Sequence, residues 1–223
     1  DTVLPHGWVQ VIEGKKGELG REWGTTDLET FNEVDPESHK RTLAFIRRNA
    51  AAKRPFYVAY WPNMTAFIPN PKKLTESRSL YADGFTKNVD AFIGQVMDEL
   101  NALGIAENTL VVTMADNGPM AHNPPPGLGM TETIFRGGKG DFLEGGVRVP
   151  AFAWWPGVIE AGQIVSDIIN ETNLYTTFAR IAGATKAIPT DRIVDGIDQT
   201  AFLLKGDGHG RRDHVFIYQG PVL

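Results

Sequence analysis

Residues 110–118 of this 223-residue chain read LVVTMADNG, and this stretch decides the fold. Its first five residues form a short apolar run that is typical of a buried strand. The preceding residues 81–103 carry apolar side chains at three- and four-residue steps, which predicts a long helix. An earlier apolar run, residues 56–61 (FYVAYW), predicts another strand. Strand, helix and strand in this order predict a βαβ unit, and therefore an α/β fold with a mixed, largely parallel sheet flanked by helices.

The flanking sequence adds further elements. Residues 1–35 have no sustained period, so we expect an irregular connector there. Asp35 and Pro36 predict the start of a helix, because proline suits the first helical position. Further on, the pattern predicts a strand at 149–155, helices at 170–181 and 201–204, and a last strand at 215–218.

Composition narrows the functional classes. A net charge of −5 gives no reason to expect nucleic acid or an anionic membrane as partner. No apolar run reaches 18 residues, so we expect no membrane span. The absence of cysteine excludes disulfides, thiolate zinc sites and a cysteine nucleophile within this sequence. The first residues do not form a secretory signal, and the sequence assigns no compartment.

The strand that ends at residue 114 leads directly into Asp116 and Asn117. Ligands of open α/β sheets bind at the carboxyl ends of strands. A carboxylate and an amide carbonyl are hard oxygen donors that suit Ca²⁺ or Mg²⁺. Gly118 would let the backbone turn sharply after them. The alternative is an ordinary tight turn that binds no metal.

A glycine-rich basic segment follows at residues 135–150 (FRGGKGDFLEGGVRVP). Glycines on both sides of Lys139 let the backbone approach an anion while one ammonium group points into a site. Arg136, Lys139 and Arg148 together would balance a sulfate or phosphate ester. The alternative is a solvated basic loop, and the spacing of a Walker loop is absent.

The order of these motifs resembles the sulfatase family. Asp116-Asn117-Gly118-Pro119 is followed by residues 136–140 (RGGKG), 144–150 (EGGVRVP) and 155–157 (WPG), and the resemblance extends over residues 37–219. It implies the alkaline-phosphatase-like α/β fold, incomplete at both ends. Residues 36–223 would then be the C-terminal part of an arylsulfatase-like catalytic domain, which hydrolyses sulfate esters at a Ca²⁺ site, with Mg²⁺ as the second choice of cation.

The resemblance also implies roles for single residues. Asp116 and Asn117 match the later pair of metal ligands of the family, and Lys139 matches the lysine that contacts the sulfate group. Asn63 stands where one alignment places a family histidine, and asparagine hydrogen bonds without transferring a proton. We assign Lys139 to catalysis and substrate binding, and Asn63 and Arg136 to substrate binding. The alternative for Asn63 is a plain loop residue. A surface histidine is the main interpretation of His122, and a proton donor the alternative.

The sequence departs from the family at the nucleophile. Sulfatases use a formylglycine made from Cys or Ser in a C/S-x-P-x-R motif, and neither this motif nor the family's early Asp-Asp pair occurs here. We therefore expect that the sequence starts inside a longer gene product and that the chain alone is inactive.

Other functions stay open at this point. One alternative is a phosphate or phosphonate ester hydrolase of the same superfamily, and another is a non-catalytic remnant. The expected substrate is a sulfate ester of a small molecule or glycan. Exposed sheet edges would require self-association or a complementary segment.

Overall fold

A computed structural model describes residues 10–25, 31–62, 89–119 and 134–217. The chain separates into two compact units, which we name by position. The N-terminal unit comprises residues 1–105 and 120–132, and the C-terminal unit comprises residues 106–119 and 133–223. Both contain helices and strands. Within the described part of the chain, no helix combines the length and the apolar character that a membrane span needs.

The N-terminal unit begins with a hairpin. Strand β1 (Gln10–Glu13) pairs antiparallel with β2 (Arg21–Thr25). The Arg21 guanidinium lies 3.1 Å from the Glu13 carboxylate across this pair. The prediction of an irregular connector over residues 1–35 is therefore wrong for this part of the segment. Strands of four and five residues are too short for an alternating pattern to stand out in a sequence.

Helix α1 (Phe31–Ala51) begins earlier than predicted, with Pro36 inside it rather than at its first position. Proline cannot donate the helical hydrogen bond, so Pro36 weakens the helix locally without ending it. Helix α2 (Ala91–Ala102) follows, and the Arg47 guanidinium of α1 donates two hydrogen bonds to the Glu99 carboxylate of α2, at 2.7 and 2.5 Å. The predicted start of this second helix, at residues 81–88, lies outside the described residues.

Residues 56–61 do not form the predicted strand. They are extended, with alternating exposure: Phe56, Val58 and Tyr60 are half-buried, whereas Tyr57, Ala59 and Trp61 are exposed. The inner face packs on the helices, since the Phe56 ring meets the Phe45 ring of α1 edge-on at 6.3 Å. Among the described strands the predicted βαβ unit is therefore absent, because this segment joins none of their hydrogen-bonded pairs.

His39 lies in a half-buried cluster, although its polar sequence neighbours favour a surface position. Its ring stacks on Phe92 at 3.8 Å and meets Tyr60 edge-on at 5.2 Å. Asp35, one helical turn earlier, is only 1% exposed. Burial lowers the pKa of His39, and the Asp35 carboxylate opposes this shift. Burial, with a further contribution from Asp35, raises the pKa of the Tyr60 hydroxyl.

The C-terminal unit is built on a second antiparallel pair. Strand β3 (Val111–Met114) pairs with β4 (Ala151–Trp154), and the short helix α3 (Glu144–Val147) precedes β4. Both described pairings are antiparallel, so the parallel pairing expected from the sequence is not found among the described strands. Short apolar runs do not specify the direction in which strands pair, and antiparallel neighbours need no helical crossover between them.

The remaining helices confirm the sequence pattern. Helix α4 (Glu171–Ile181) and helix α5 (Thr200–Lys205) lie where they are predicted. The Asn170 side chain accepts the N–H of Thr172 at 3.0 Å, while Asn173 Oδ1 accepts the N–H of Asn170 at 2.7 Å. This reciprocal capping fixes the start of α4. Residues 215–217 do not form the predicted last strand.

Glycine backbones make the contact between the end of β3 and the basic segment. The Gly118 N–H donates to the carbonyl of Gly146 at 2.9 Å. A β-carbon on Gly118 would overlap the Gly145 carbonyl oxygen, and one on Gly145 would overlap the carbonyl of Gly137. Gly118 does not have a positive φ angle. Its role is therefore close approach of two backbones, and not the sharp turn that the sequence suggests.

This packing predicts that an alanine substitution destabilises the protein at Gly118 but not at Gly94. Gly118→Ala forces an overlap between backbones and should lower the free energy of unfolding of the C-terminal unit by about 1–3 kcal/mol. Gly94→Ala is the matched control, because a β-carbon at this exposed position of α2 meets nothing within 4 Å. It should be neutral or stabilise by about 0.5–1 kcal/mol. Urea unfolding measures both, and equal effects would contradict the close packing.

The environment of His39 predicts a pH dependence of stability. The unfolded chain binds a proton near the ordinary histidine pKa of about 6.5, whereas the folded chain resists protonation. The free energy of unfolding should therefore fall as the pH is lowered through about 6.5 towards the folded pKa. His39→Phe keeps an aromatic ring and should flatten this decline between about pH 7.5 and 5.5. Identical slopes for both proteins in urea titrations would count against the buried position.

Candidate metal and anion site

Asp116 and Asn117 stand at the point where the chain leaves the sheet. The ladder extends one residue beyond β3, because the Ala115 N–H donates to the Pro150 carbonyl at 3.3 Å. Asp116 is exposed and Asn117 is half-buried. The Asn117 Nδ2 donates to the carbonyl of Gly118 at 2.7 Å, which leaves its Oδ1 atom as an acceptor for another group. The two side chains thus offer adjacent oxygen donors at a strand end.

These donors fit a hard divalent cation in kind but not in number. Ca²⁺ takes about six to eight oxygen ligands. Among the described residues, no group of three or more His, Asp or Glu side chains could hold a metal ion. Asp116 and Asn117 therefore supply two oxygen donors, and the remaining ligands of a bound cation would have to come from other groups.

Lys139 lies at the corner of a tight turn. The Asp141 N–H donates to the carbonyl of Gly138 at 2.9 Å, which closes a four-residue turn over residues 138–141. The third residue of this lysine turn, Gly140, has a φ of 95°, a positive value that favours glycine. The backbone N–H of Lys139 donates to the carbonyl of Pro119 at 2.8 Å. This hydrogen bond joins the backbone of the lysine turn to Pro119, which lies three residues after Asp116 in the sequence.

The two arginines of the basic segment have different surroundings. Arg136 is exposed, and its carbonyl accepts the N–H of Gly145 at 2.8 Å. The Arg148 guanidinium donates to the Glu144 carboxylate at 3.1 Å and lies 4.6 Å from the centre of the Phe135 ring. Arg148 thus already has an anionic and an aromatic partner, which argues against the anion-binding role that the sequence suggests for it.

Two sequence-predicted positions lie outside the described residues, namely Asn63 and His122. Their assignments stay predictions. One residue that the structure brings into the site, Asp141, is not singled out by the sequence motifs. Its carboxylate accepts the N–H of Gly138 at 2.8 Å. The Gly-Lys-Gly-Asp order is a usable signal for it, since glycine at the third position is typical of a tight turn.

Comparison with known proteins gives a consistent assignment. The family model described as Sulfatase matches residues 27–184. The steryl-sulfatase of Rattus norvegicus is 36% identical over 183 residues, which are 80% of this chain and 31% of that protein. The N-acetylgalactosamine-6-sulfatase of Canis lupus familiaris is 36% identical over 188 residues, or 82% of this chain and 35% of that protein. The chain thus spans about a third of the length of these relatives.

Solved structures agree with the sequence relatives. The PsFucS1 sulfatase from Pseudoalteromonas sp. superimposes with a TM-score of 0.78 at 32% identity, over 93% of this chain and 42% of that chain. Ps i-CgsB, solved in complex with k-i-k-neocarrahexaose, gives a TM-score of 0.65 at 27% identity over 79% of this chain and 39% of its own. These neighbours have the alkaline-phosphatase-like fold, which confirms the predicted α/β fold class. Because the Sulfatase model matches more than half of this chain, the chain belongs to the sulfatase family of hydrolases.

Proposed function

We propose that this chain supplies part of the active site of a Ca²⁺-dependent sulfuric ester hydrolase. The observation that carries the proposal is the hydrogen bond from the Lys139 N–H to the Pro119 carbonyl at 2.8 Å. It places the backbone of a cationic residue beside the segment that offers two oxygen donors. A site for a metal-bound anionic ester needs both kinds of group close together.

Asp116 and Asn117 are the proposed metal ligands, with Ca²⁺ preferred and Mg²⁺ as the second choice. Their carboxylate and amide oxygens are the donor types that both cations prefer. When bound, such a cation polarises the ester oxygens as a Lewis acid. The hydrogen bond from Asn117 Nδ2 to Gly118 orients the amide, so that the same side chain need not reorganise when its oxygen binds.

Lys139 and Arg136 are the proposed sulfate-binding groups. A lysine ammonium acts on a sulfate as a compact point charge, and a guanidinium can donate two parallel hydrogen bonds to neighbouring oxygens. Both side chains are exposed on the segment that packs against Gly118, so an ester could reach them from solvent. On the sequence resemblance alone, we also propose Asn63 as a hydrogen-bonding residue for the substrate.

The nucleophile would have to come from outside this sequence. The chain contains no cysteine and no serine in an S-x-P-x-R pattern. We therefore propose that the chain by itself binds ligands without hydrolysing them. The names of the relatives favour sulfate over phosphate esters, and N-acetylgalactosamine-6-sulfatase favours the sulfate ester of a glycan.

The metal assignment predicts a loss of Ca²⁺ affinity on removal of one carboxylate. Asp116→Ala should weaken Ca²⁺ binding by at least about tenfold, since it deletes a charged ligand. Asp98→Ala is the matched control, because Asp98 is an exposed carboxylate of α2 in the other unit. Isothermal titration with CaCl₂ measures all three proteins. An unchanged affinity in Asp116→Ala, or an equal loss in both variants, would contradict the assignment.

The proposal that the nucleophile lies elsewhere predicts that the purified chain does not turn over 4-nitrophenyl sulfate, even with saturating Ca²⁺. Release of 4-nitrophenol is followed by absorbance, with a matched sample of the Lys139→Ala variant as the background. Release that depends on Lys139 would show that this sequence contains a complete catalytic set, and it would overturn this part of the proposal.

A further inference from the structure

The turn that carries Lys139 is closed twice. Its backbone hydrogen bond runs from the Asp141 N–H to the Gly138 carbonyl at 2.9 Å. A second bond runs in the opposite direction, from the Gly138 N–H to Asp141 Oδ2 at 2.8 Å. Hydrogen bonds to a carboxylate are stronger than those between neutral groups. The carboxylate therefore fixes both ends of the four-residue segment that has Lys139 at its corner.

The position of this carboxylate depends on the neighbouring glycines. A β-carbon on Gly137 would lie 2.9 Å from Asp141 Oδ2, and the φ of Gly137 is 86°, which favours glycine. The carbonyl of Asp141 occupies the space that a β-carbon on Gly146 would need. Gly146 in turn accepts the N–H of Gly118. Asp141 thus closes the lysine turn, and its carbonyl lies close to Gly146, which bonds to Gly118 after the end of β3.

We propose that Asp141 is a positioning residue of this site, which holds the Lys139 turn in the geometry that binds the sulfate group. The inference rests on the proposed function, because Lys139 must bind the anion for its position to matter. Asp141 acts through the backbone of Gly138 and does not itself contact the substrate.

The charge of Asp141 and its hydrogen bond to Gly138 should change the sulfate affinity in opposite directions, which can be tested. A carboxylate close to an anion site repels the anion, so its removal by itself should strengthen sulfate binding. Loss of the hydrogen bond to Gly138 should weaken sulfate binding, because the turn is then free to sample other conformations. The two effects oppose each other in Asp141→Ala. In Asp141→Asn the charge is lost, while the amide oxygen can still accept the Gly138 N–H.

The experiment uses the whole chain and inorganic sulfate as the probe. Sulfate affinity is measured from the amide signals of Lys139 and Gly140 in two-dimensional NMR titrations of wild type, Asp141→Ala, Asp141→Asn and Lys139→Ala. Glu144→Gln serves as the charge control, because Glu144 lies in the same segment but pairs with Arg148. The Gly138 amide proton shift is recorded in each protein as a direct report of the hydrogen bond to Asp141.

We expect the lost hydrogen bond to outweigh the lost charge, so that Asp141→Ala weakens sulfate binding by up to about fivefold and moves the Gly138 amide proton upfield. Asp141→Asn and Glu144→Gln should bind sulfate at least as tightly as wild type. Equal or tighter binding by Asp141→Ala, or an unmoved Gly138 signal, would overturn the inference. If wild type and Lys139→Ala bind sulfate equally, the proposed function fails instead, and the Gly138 signal still decides whether Asp141 holds the turn.

Discussion

The site depends on one steric constraint, the contact of glycine backbones between the end of β3 and the segment that precedes β4. A β-carbon on Gly118 would collide with the Gly145 carbonyl, and β-carbons on Gly145 and Gly146 would collide with carbonyls of residues 136–141. Hydrogen bonds from Gly118 to Gly146 and from Lys139 to Pro119 use this proximity. Because interiors are close-packed, an added methyl group at Gly118 would force these two backbones apart.

This packing brings the backbone of Lys139 close to the segment that carries Asp116 and Asn117. Asp116 and Asn117 belong to the end of a strand, whereas Lys139 belongs to a turn some twenty residues later. The Gly118 N–H bonds to the Gly146 carbonyl and the Lys139 N–H to the Pro119 carbonyl, so backbone hydrogen bonds join the two segments. Polar side chains that do hold structure, such as Asp141 and Asn117, bond to nearby backbone groups instead. Arg136 lies on the same segment as Lys139, with an exposed side chain.

The sequence predicts those features that depend on local patterns. Strand β3 and the positions of helices α4 and α5 follow from the spacing of their apolar residues. The failures have a common physical cause, which is tertiary context. Residues 56–61 have the composition of a strand, but they pack one face on helices. β-Propensity reflects how well side chains fit a half-buried pleated surface, and it does not require a hydrogen-bonded neighbour strand. His39 has polar neighbours in sequence, yet helix α2 and Tyr60 cover it. The role of Gly118 depends on a backbone some 27 residues away, which no local pattern reveals.

The most direct test of the central claim is amide hydrogen exchange of the wild-type chain, followed residue by residue by NMR. Slow exchange at Gly118 and Lys139 is the expected result, since both amides donate to carbonyls across the packed contact. Gly140, which is exposed at the tip of the same turn, should exchange at the rate of an unprotected amide. If Gly118 and Lys139 exchange as fast as Gly140, the strand end and the lysine turn are not held together, and the site described here does not form.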